Sequence, residues 1–193
     1  MSAQKTVSYR DANGLDASLN YDKSVLAAGS RVVRPASVPG PEHAFDVDLL
    51  SEARRLEHHI TALAQQPESV ARNTVVVAGG GFTCIETATQ MPARLREVLG
   101  AHADIRVIVV DRGSKIGAAL GENISPSIVQ ASDDLGVQWR VNAAVAAVDA
   151  KGVTLADGQR IEASTVVWTV GGAREFADRA NSGRARRCGP FAC

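Results

Sequence analysis

Several partner classes have little to hold on to in this chain. Its 21 basic and 21 acidic residues cancel to a formal net charge of zero, which leaves no basic face for nucleic acid and no cationic anchor for acidic lipid. Long apolar runs are missing too. The best of them, Val75 to Ala78 and Ile105 to Val110 (broken by Arg106), fall far short of the roughly 20 residues that cross a bilayer as a helix. Polar residues follow Met1, so no basic-then-apolar secretory leader is visible and the cytoplasm is the expected compartment. Cysteine is scarce: Cys84, Cys188 and Cys193 include no C-x-x-C pair, which excludes a redox dithiol or a zinc knuckle of that form. The four histidines, His43, His58, His59 and His102, form no ligand set. His58 and His59 are adjacent and would point about 100° apart on a helix, so no metal site is expected.

The 193 residues, 45% hydrophobic and 22% charged, suit one soluble globular domain, or one domain with part of another. Thr6 to Tyr9 and Ala17 to Asn20 read as strands around the turn cluster Asp11-Ala12-Asn13-Gly14, and Ser24 to Ala28 as a further short strand. Arg34 to Pro41, rich in Pro and Val, predicts an extended connector. From Asp48, Leu49, Ala53, Leu56, Ile60 and Leu63 recur at helical spacing until Pro67. Thr74 to Val77 is a β-branched run fit for the buried centre of a parallel sheet. Phe82 to Met91 reads as a helix that Pro92 ends or kinks, with a second helical piece over Ala93 to Leu99. Ile105 to Val110 predicts the next parallel strand. Ile124, Ile128, Ala131 and Leu135 predict a third helix, with Ser125 as N-cap, Pro126 at its first position and Gly136 as its stop. Val137, Trp139 and Val141 alternate as a strand, and Val153 to Leu155 and Thr165 to Val170 complete a small meander around the Asp157-Gly158 turn. The order β-α-β-α-β followed by a meander is that of a nucleotide-binding α/β domain.

The segment that carries chemistry is Val75 to Glu86. A strand, the corner Gly79-Gly80-Gly81 and a helix start form the dinucleotide fingerprint. Gly79 permits the tight turn, Gly81 lets the backbone approach a pyrophosphate, and the free N–H groups at the helix start receive the phosphate charge. Asp111, closing the next strand, is placed to accept hydrogen bonds from the adenosine ribose, which favours NADH; Arg112 beside it suits a 2′-phosphate and keeps NADPH open. Two features depart from the fingerprint. Cys84 replaces the third glycine, where helix and strand pack closely, and is expected to hold the helix slightly away. The interval from Gly81 to Asp111 also exceeds the usual twenty or so residues.

Three segments in order resemble the FAD-dependent pyridine-nucleotide oxidoreductases, most closely the branch of the type II NADH dehydrogenases. Tyr21 to Ser30 resembles Y-D-x-L-V-x-A-x-G-S, Gly79 to Glu86 resembles G-G-G-x-T-G-x-E, and Val166 to Gly171 resembles V-V-W-T-A-G. The resemblance implies an α/β fold: a Rossmann-like NAD(P)-binding domain over residues 48–165, flanked by partial strands of a FAD-binding domain over 1–47. Residues 166–171 then form the return crossover. It also implies cofactor-binding roles for Gly79, Gly80, Gly81, Phe82, Thr83, Glu86, Asp111, Arg112, Thr169 and Gly171, and for Ala28, Gly29 and Ser30 at the flavin-side crossover. Glu86 would position the nicotinamide; as a residue of the helix start it reads equally well as an acid favoured by the helix dipole. The implied activity is hydride transfer from NADH to FAD and electron delivery to a quinone-like acceptor, with peripheral membrane association open to full-length relatives.

The family's first glycine fingerprint, which holds FAD, has no copy in the chain, nor has its downstream G-D flavin motif. The expectation is therefore NAD(P)H binding without firm flavin retention, and no catalysis by this chain alone. Residues 172–193 read as a basic tail foreign to the family and disordered. Shifted by one nucleotide, their degenerate codons are compatible with V-R-A-S-S-L-T-A-Q-I-P-G-E-R-D, so a frameshift near Gly171 is expected. A non-enzymatic NAD(H)-binding module and a disulfide reductase fragment are the alternatives.

Overall fold

The computed structural model describes residues 5–25, 31–32, 34–121, 123–170 and 172–173. The chain divides into two units, one drawn from Met1–Gly29 and Phe176–Cys193 and the other from Ser30–Glu175.

In the first unit the described residues form an antiparallel hairpin of β1 (Thr6–Arg10) and β2 (Asp16–Asn20), paired from Thr6↔Asn20 to Arg10↔Asp16. The Asp11 carboxylate fixes the turn by accepting from the N–H groups of Asn13 at 2.8 Å and Leu15 at 2.9 Å, as the turn cluster predicts. Ser24 and Val25 are not in a strand, and the rest of the expected strand, Leu26 to Ala28, lies outside the described residues.

In the second unit β3 (Arg31–Val32) precedes the connector, whose end at Pro41–His43 is one turn of 3₁₀ helix where the sequence suggested an extended chain. Then come α1 (Leu50–Ala62), β4 (Thr74–Ala78), α2 (Phe82–Leu99), β5 (Arg106–Val110), α3 (Ser125–Leu135) and β6 (Val137–Arg140). A meander of β7 (Val145–Asp149), β8 (Gly152–Leu155) and β9 (Arg160–Glu162) follows, then β10 (Thr165–Trp168) and β11 (Gly172–Ala173), which pairs with β3. The central sheet is fully parallel, ordered β10-β4-β5-β6.

Alternation along these strands sorts their side chains onto two faces. Val75, Val77, Val107, Val109, Val137 and Val167 meet Leu56, Ile60 and Leu63 from α1 and the following turn, and Cys84, Ala88, Met91 and Leu95 of α2. On the other face Val76, Ala78, Ile108, Val110, Val166 and Trp168 meet Val148, Val153 and Leu155 of the meander. Both faces are covered, which is why the strands read as continuous apolar runs.

Several local expectations need correction. Pro92 does not end α2, which runs unbroken through it. A proline inside a helix costs about 3 kcal/mol through its missing donor and ring clash. Here Cys84, Ala88, Met91 and Leu95, spaced four, three and four, stay buried against the sheet on both sides of it, and the packing of that stripe outweighs the local loss. Ser125 is not a side-chain cap. Ile124 precedes the helix, and the Ser125 hydroxyl instead donates to the Ile116 carbonyl at 2.5 Å. Ala131 and Ile124 are exposed; Ile128 and Ser132 carry the buried face of α3. Ser132 escaped a purely apolar pattern because its hydroxyl is satisfied internally, donating to Ile128 at 2.7 Å and accepting from the Trp139 indole at 2.9 Å. Val141 falls in a turn, and β10 stops at Trp168 instead of continuing to Val170. Leu49 is exposed ahead of α1. Gly136 does stop α3, in the left-handed conformation.

Helix α1 is pinned to the sheet by His59, whose Nε2 lies 2.9 Å from the buried Thr165 hydroxyl and whose ring lies 4.5 Å from that of Phe45. Burial pushes the His59 imidazole below its ordinary value, the Ser164 backbone opposes the shift, and the Arg55 cation adds to it. The folded protein therefore holds this proton less tightly than the unfolded chain, so stability rises with pH in the window just below the ordinary histidine value of about 6.5. The denaturant midpoint is expected to fall between about pH 7 and about pH 5, and His59→Asn to flatten that fall. An unchanged slope in the variant would exclude His59 as its source.

Candidate functional site

At the carboxyl end of the parallel sheet the chain turns from β4 into α2. Gly79, at φ +135°, is the corner: its N–H donates to the Val110 carbonyl at 2.9 Å, and a Cβ built on it would lie 2.5 Å from the Thr169 hydroxyl. That hydroxyl donates to the Ala78 carbonyl at 2.8 Å, and the Thr169 N–H reaches the same carbonyl at 3.0 Å. Gly81 precedes α2 with no side-chain cap, and a Cβ there would meet no protein atom within 4 Å. Glycine at this position is thus not demanded by internal packing; it leaves open the approach to the first-turn N–H groups, which a helix cannot satisfy by itself.

Gly80 faces Asp111. A Cβ on Gly80 would fall 2.1 Å from Asp111 Oδ2. The Asp111 backbone is fixed, its N–H donating to Arg140 and its carbonyl accepting from Ala143, both at 2.9 Å. Among the described residues nothing donates a hydrogen bond to its carboxylate. Gly79, Gly80, Gly81, Asp111, Arg112, Thr169 and Val170 line one cavity of about 450 Å³. Val38, Ala143, Val145 and Trp168 contribute apolar surface to the same lining. An array of amide donors, a free carboxylate and an apolar wall can bind, in that order, an anionic diphosphate, a vicinal diol and a flat ring.

Of the thirteen residues singled out from sequence, the structure brings six together in this lining: Gly79, Gly80, Gly81, Asp111, Arg112 and Thr169. Phe82 and Thr83 sit exposed on the first turn of α2, beyond the lining. Glu86 is exposed on α2, five positions past Gly81, also outside the lining; the dipole effect is concentrated in the first turn, so it has little hold there. Ala28, Gly29, Ser30 and Gly171 lie outside the described residues. Sequence reasoning missed Pro35, Ser37, Val38 and Ala143 to Val145. They come from a connector and a strand entry without any motif, and only the strand order places them at this edge. Among the described residues no group of His, Cys, Asp and Glu side chains could hold a metal, and no helix is long and apolar enough to cross a membrane.

Cys84 is fully buried, and its thiol donates to the Gly79 carbonyl at 3.0 Å. The sulfur thus sits inside the corner, tied to the residue that makes the turn. Burial pushes the thiol up to about 12, a hydrogen-bond contact with Thr169 opposing and the Asp111 charge adding to the rise.

Residues 1–183 match the pyridine nucleotide-disulphide oxidoreductase family. An NADH dehydrogenase-like protein of Mycobacterium tuberculosis is 46% identical over 158 residues, 80% of this chain and 39% of that protein. The type II NADH:quinone oxidoreductase NdhA of the same organism is 28% identical over 168 residues, 78% of this chain and 36% of its own. The structure of NDH2 from Plasmodium falciparum in complex with NADH superposes with a TM-score of 0.67 at 17% identity, over 88% of this chain and 38% of that one. The chain therefore spans less than two fifths of the length of these relatives.

Native Cys84 is expected to resist a thiol reagent at about pH 8, where thiolate is the attacking form, and to react once the chain is denatured. Peptide mapping by mass spectrometry separates it from Cys188 and Cys193; prompt native labelling at Cys84 would contradict its burial.

Proposed function

The chain belongs to the pyridine nucleotide-disulphide oxidoreductase family, and from that premise we propose that it is the nicotinamide-dinucleotide-binding portion of a flavin-dependent NADH oxidoreductase. One observation carries the reading: an Asp111 carboxylate without a donor from the described residues, lodged against Gly80 beside an uncapped helix start. Neither feature serves the packing of the protein. Together they match a diphosphate followed by a ribose.

In this proposal the N–H groups after Gly81 receive the pyrophosphate, Asp111 accepts from the ribose hydroxyls, and Val38, Ala143 and Val145 flank the adenine. Thr169 holds the Ala78 carbonyl inward and so keeps the corner open. Glu86 positions the nicotinamide only if the dinucleotide extends along α2 beyond the lining residues, and its role is secondary. Residues 48–165 are the nucleotide domain; residues 1–47 and 166–171 belong to the flavin-binding part of the complete protein. In the complete protein FAD would supply hydride acceptance and onward electron delivery, with a quinone-like acceptor proposed from the likeness to the quinone oxidoreductase.

The described residues offer one strand, glycine corner and long-helix unit, which suits one dinucleotide. They supply no second cradle fitted to FAD, so the chain by itself acts as an NAD(H)-binding module without turnover.

Purified chain is expected to bind NADH in a fluorescence titration and to show no flavin absorbance. Asp111→Asn should weaken NADH by about tenfold, the scale of one lost charge-assisted hydrogen bond, and Gly81→Val should weaken it further. A yellow preparation with stoichiometric flavin would overturn the module reading. No binding of either redox form, with both variants indistinguishable from wild type, would overturn the nucleotide assignment.

A further inference from the structure

The Asp111 carboxylate has to be held somewhere, yet no hydrogen bond from the described residues holds it. Its constraints are steric and come from two glycines. On one side is Gly80, whose Cβ would fall 2.1 Å from Oδ2; on the other is Gly113, whose Cβ would fall 2.8 Å from the same oxygen and 3.5 Å from the carboxyl carbon. Building on the dinucleotide reading, we propose that Gly113 is a specificity-determining position: with Gly80 it forms a two-walled slot that fixes the Asp111 carboxylate where it accepts from a ribose diol and turns away a 2′-phosphate.

The backbone around the slot cannot yield to a side chain at 113. The Asp111 N–H is bonded to Arg140 at the end of β6 and its carbonyl to Ala143 just beyond, and the Gly113 carbonyl accepts from the Asn142 N–H at 2.8 Å. Asn142 reaches that carbonyl from a left-handed conformation, φ 51°, which asparagine tolerates better than most residues. Three hydrogen bonds therefore clamp residues 111 and 113 against residues 140–143. Gly113 is not at positive φ, so alanine is compatible with its backbone, and Ala118 lies at an ordinary 3.7 Å from the added carbon. The methyl's pressure falls on the free carboxylate. Gly80 blocks retreat on that side, so the carboxylate has to rotate out of the slot.

Selectivity follows from where the charge goes. In place, the carboxylate accepts from the 2′-hydroxyl and repels a phosphate at the same position. Displaced, it loses the hydrogen bond and releases the repulsion, while exposed Arg112 on the same cavity rim remains to meet a phosphate. Gly113 touches neither group. It is a positioning residue acting through Asp111.

The test is a double-mutant cycle on the 193-residue chain, read as NADH and NADPH dissociation constants by fluorescence titration, with thermal melting to confirm folding. Gly113→Ala is expected to weaken NADH by about tenfold and to tighten NADPH by about twofold or more. In an Asp111→Asn background the same change should have no further effect on NADH, because neighbours acting through one group are not additive. Equal weakening of both nucleotides, no weakening of NADH, or additivity with Asp111→Asn would each overturn the slot. Should Gly113→Ala fail to fold, Asp111→Glu asks the same question, since a longer acid does not fit a two-walled slot; wild-type NADH affinity in that variant also overturns it. The underlying reading fails separately: if Asp111→Asn leaves NADH binding unchanged, the ribose assignment falls, whereas loss in Asp111→Asn with none in Gly113→Ala removes only the slot.

Discussion

The site depends on hydrogen bonds that continue the parallel sheet past the ends of its strands. Beyond β4 the Gly79 N–H reaches Val110, beyond β5 the Asp111 N–H reaches Arg140, and beyond β10 the Thr169 N–H reaches Ala78. These bonds determine where the chain leaves the sheet and in which direction. Thr169 adds its hydroxyl to the Ala78 carbonyl, which brings the oxygen to within 2.5 Å of where a Cβ on Gly79 would stand. The corner can be knitted to both neighbouring strands only if it carries no side chain. The start of α2, the opening beside Gly81 and the contact between Gly80 and Asp111 all follow from that restriction.

Cys84 shows how the corner tolerates a departure from the fingerprint. A third glycine allows close packing because it adds nothing between helix and strand. The thiol adds volume, but it is buried completely and donates to the Gly79 carbonyl. The substitution therefore adds an internal hydrogen bond that ties the first turn of α2 to the corner. With burial holding its titration near 12, the sulfur behaves as a weak donor and a small hydrophobe at neutral pH, and stays out of the cavity chemistry.

What could be read from sequence was what rests on local pattern. The β-branched runs of β4 and β5, the glycine corner and Asp111 declare themselves because strand burial, positive φ and a strand-end acid each demand particular residue types. Pro92 misled because a proline's local cost is visible in sequence while the tertiary packing that outweighs it is not. Ser132 misled for a related reason: a polar residue on a helix face reads as exposed until its partner, Trp139, is placed beside it by the sheet. The connector residues Pro35 to Val38 and the Ala143–Val145 wall carried no signal, since their part in the cavity comes from strand order alone.

The cavity opens along the seam between the two covers of the sheet. Its glycine corner and helix start are set by the α1 and α2 side, whereas Val38, Ala143 and Val145 belong with the meander side. Its width is therefore a property of how the meander is docked. That docking is close: Pro39 accepts from the Val148 N–H at 3.0 Å, and a Cβ on Gly40 would overlap the Val148 carbonyl oxygen at 1.7 Å. Gly40 also sits at φ +80°, so both its conformation and its clearance require glycine. The connector that looked like a featureless proline-rich link is thus the fastener that sets one wall of the cavity. A residue 40 with a side chain would move Val38 before it touched Gly79, Gly80, Gly81 or Asp111. The shape of this edge accordingly depends on a glycine far from the fingerprint as well as on Gly79, though for different neighbours: at Gly40 a side chain would run into the Val148 backbone carbonyl, at Gly79 into the Thr169 hydroxyl.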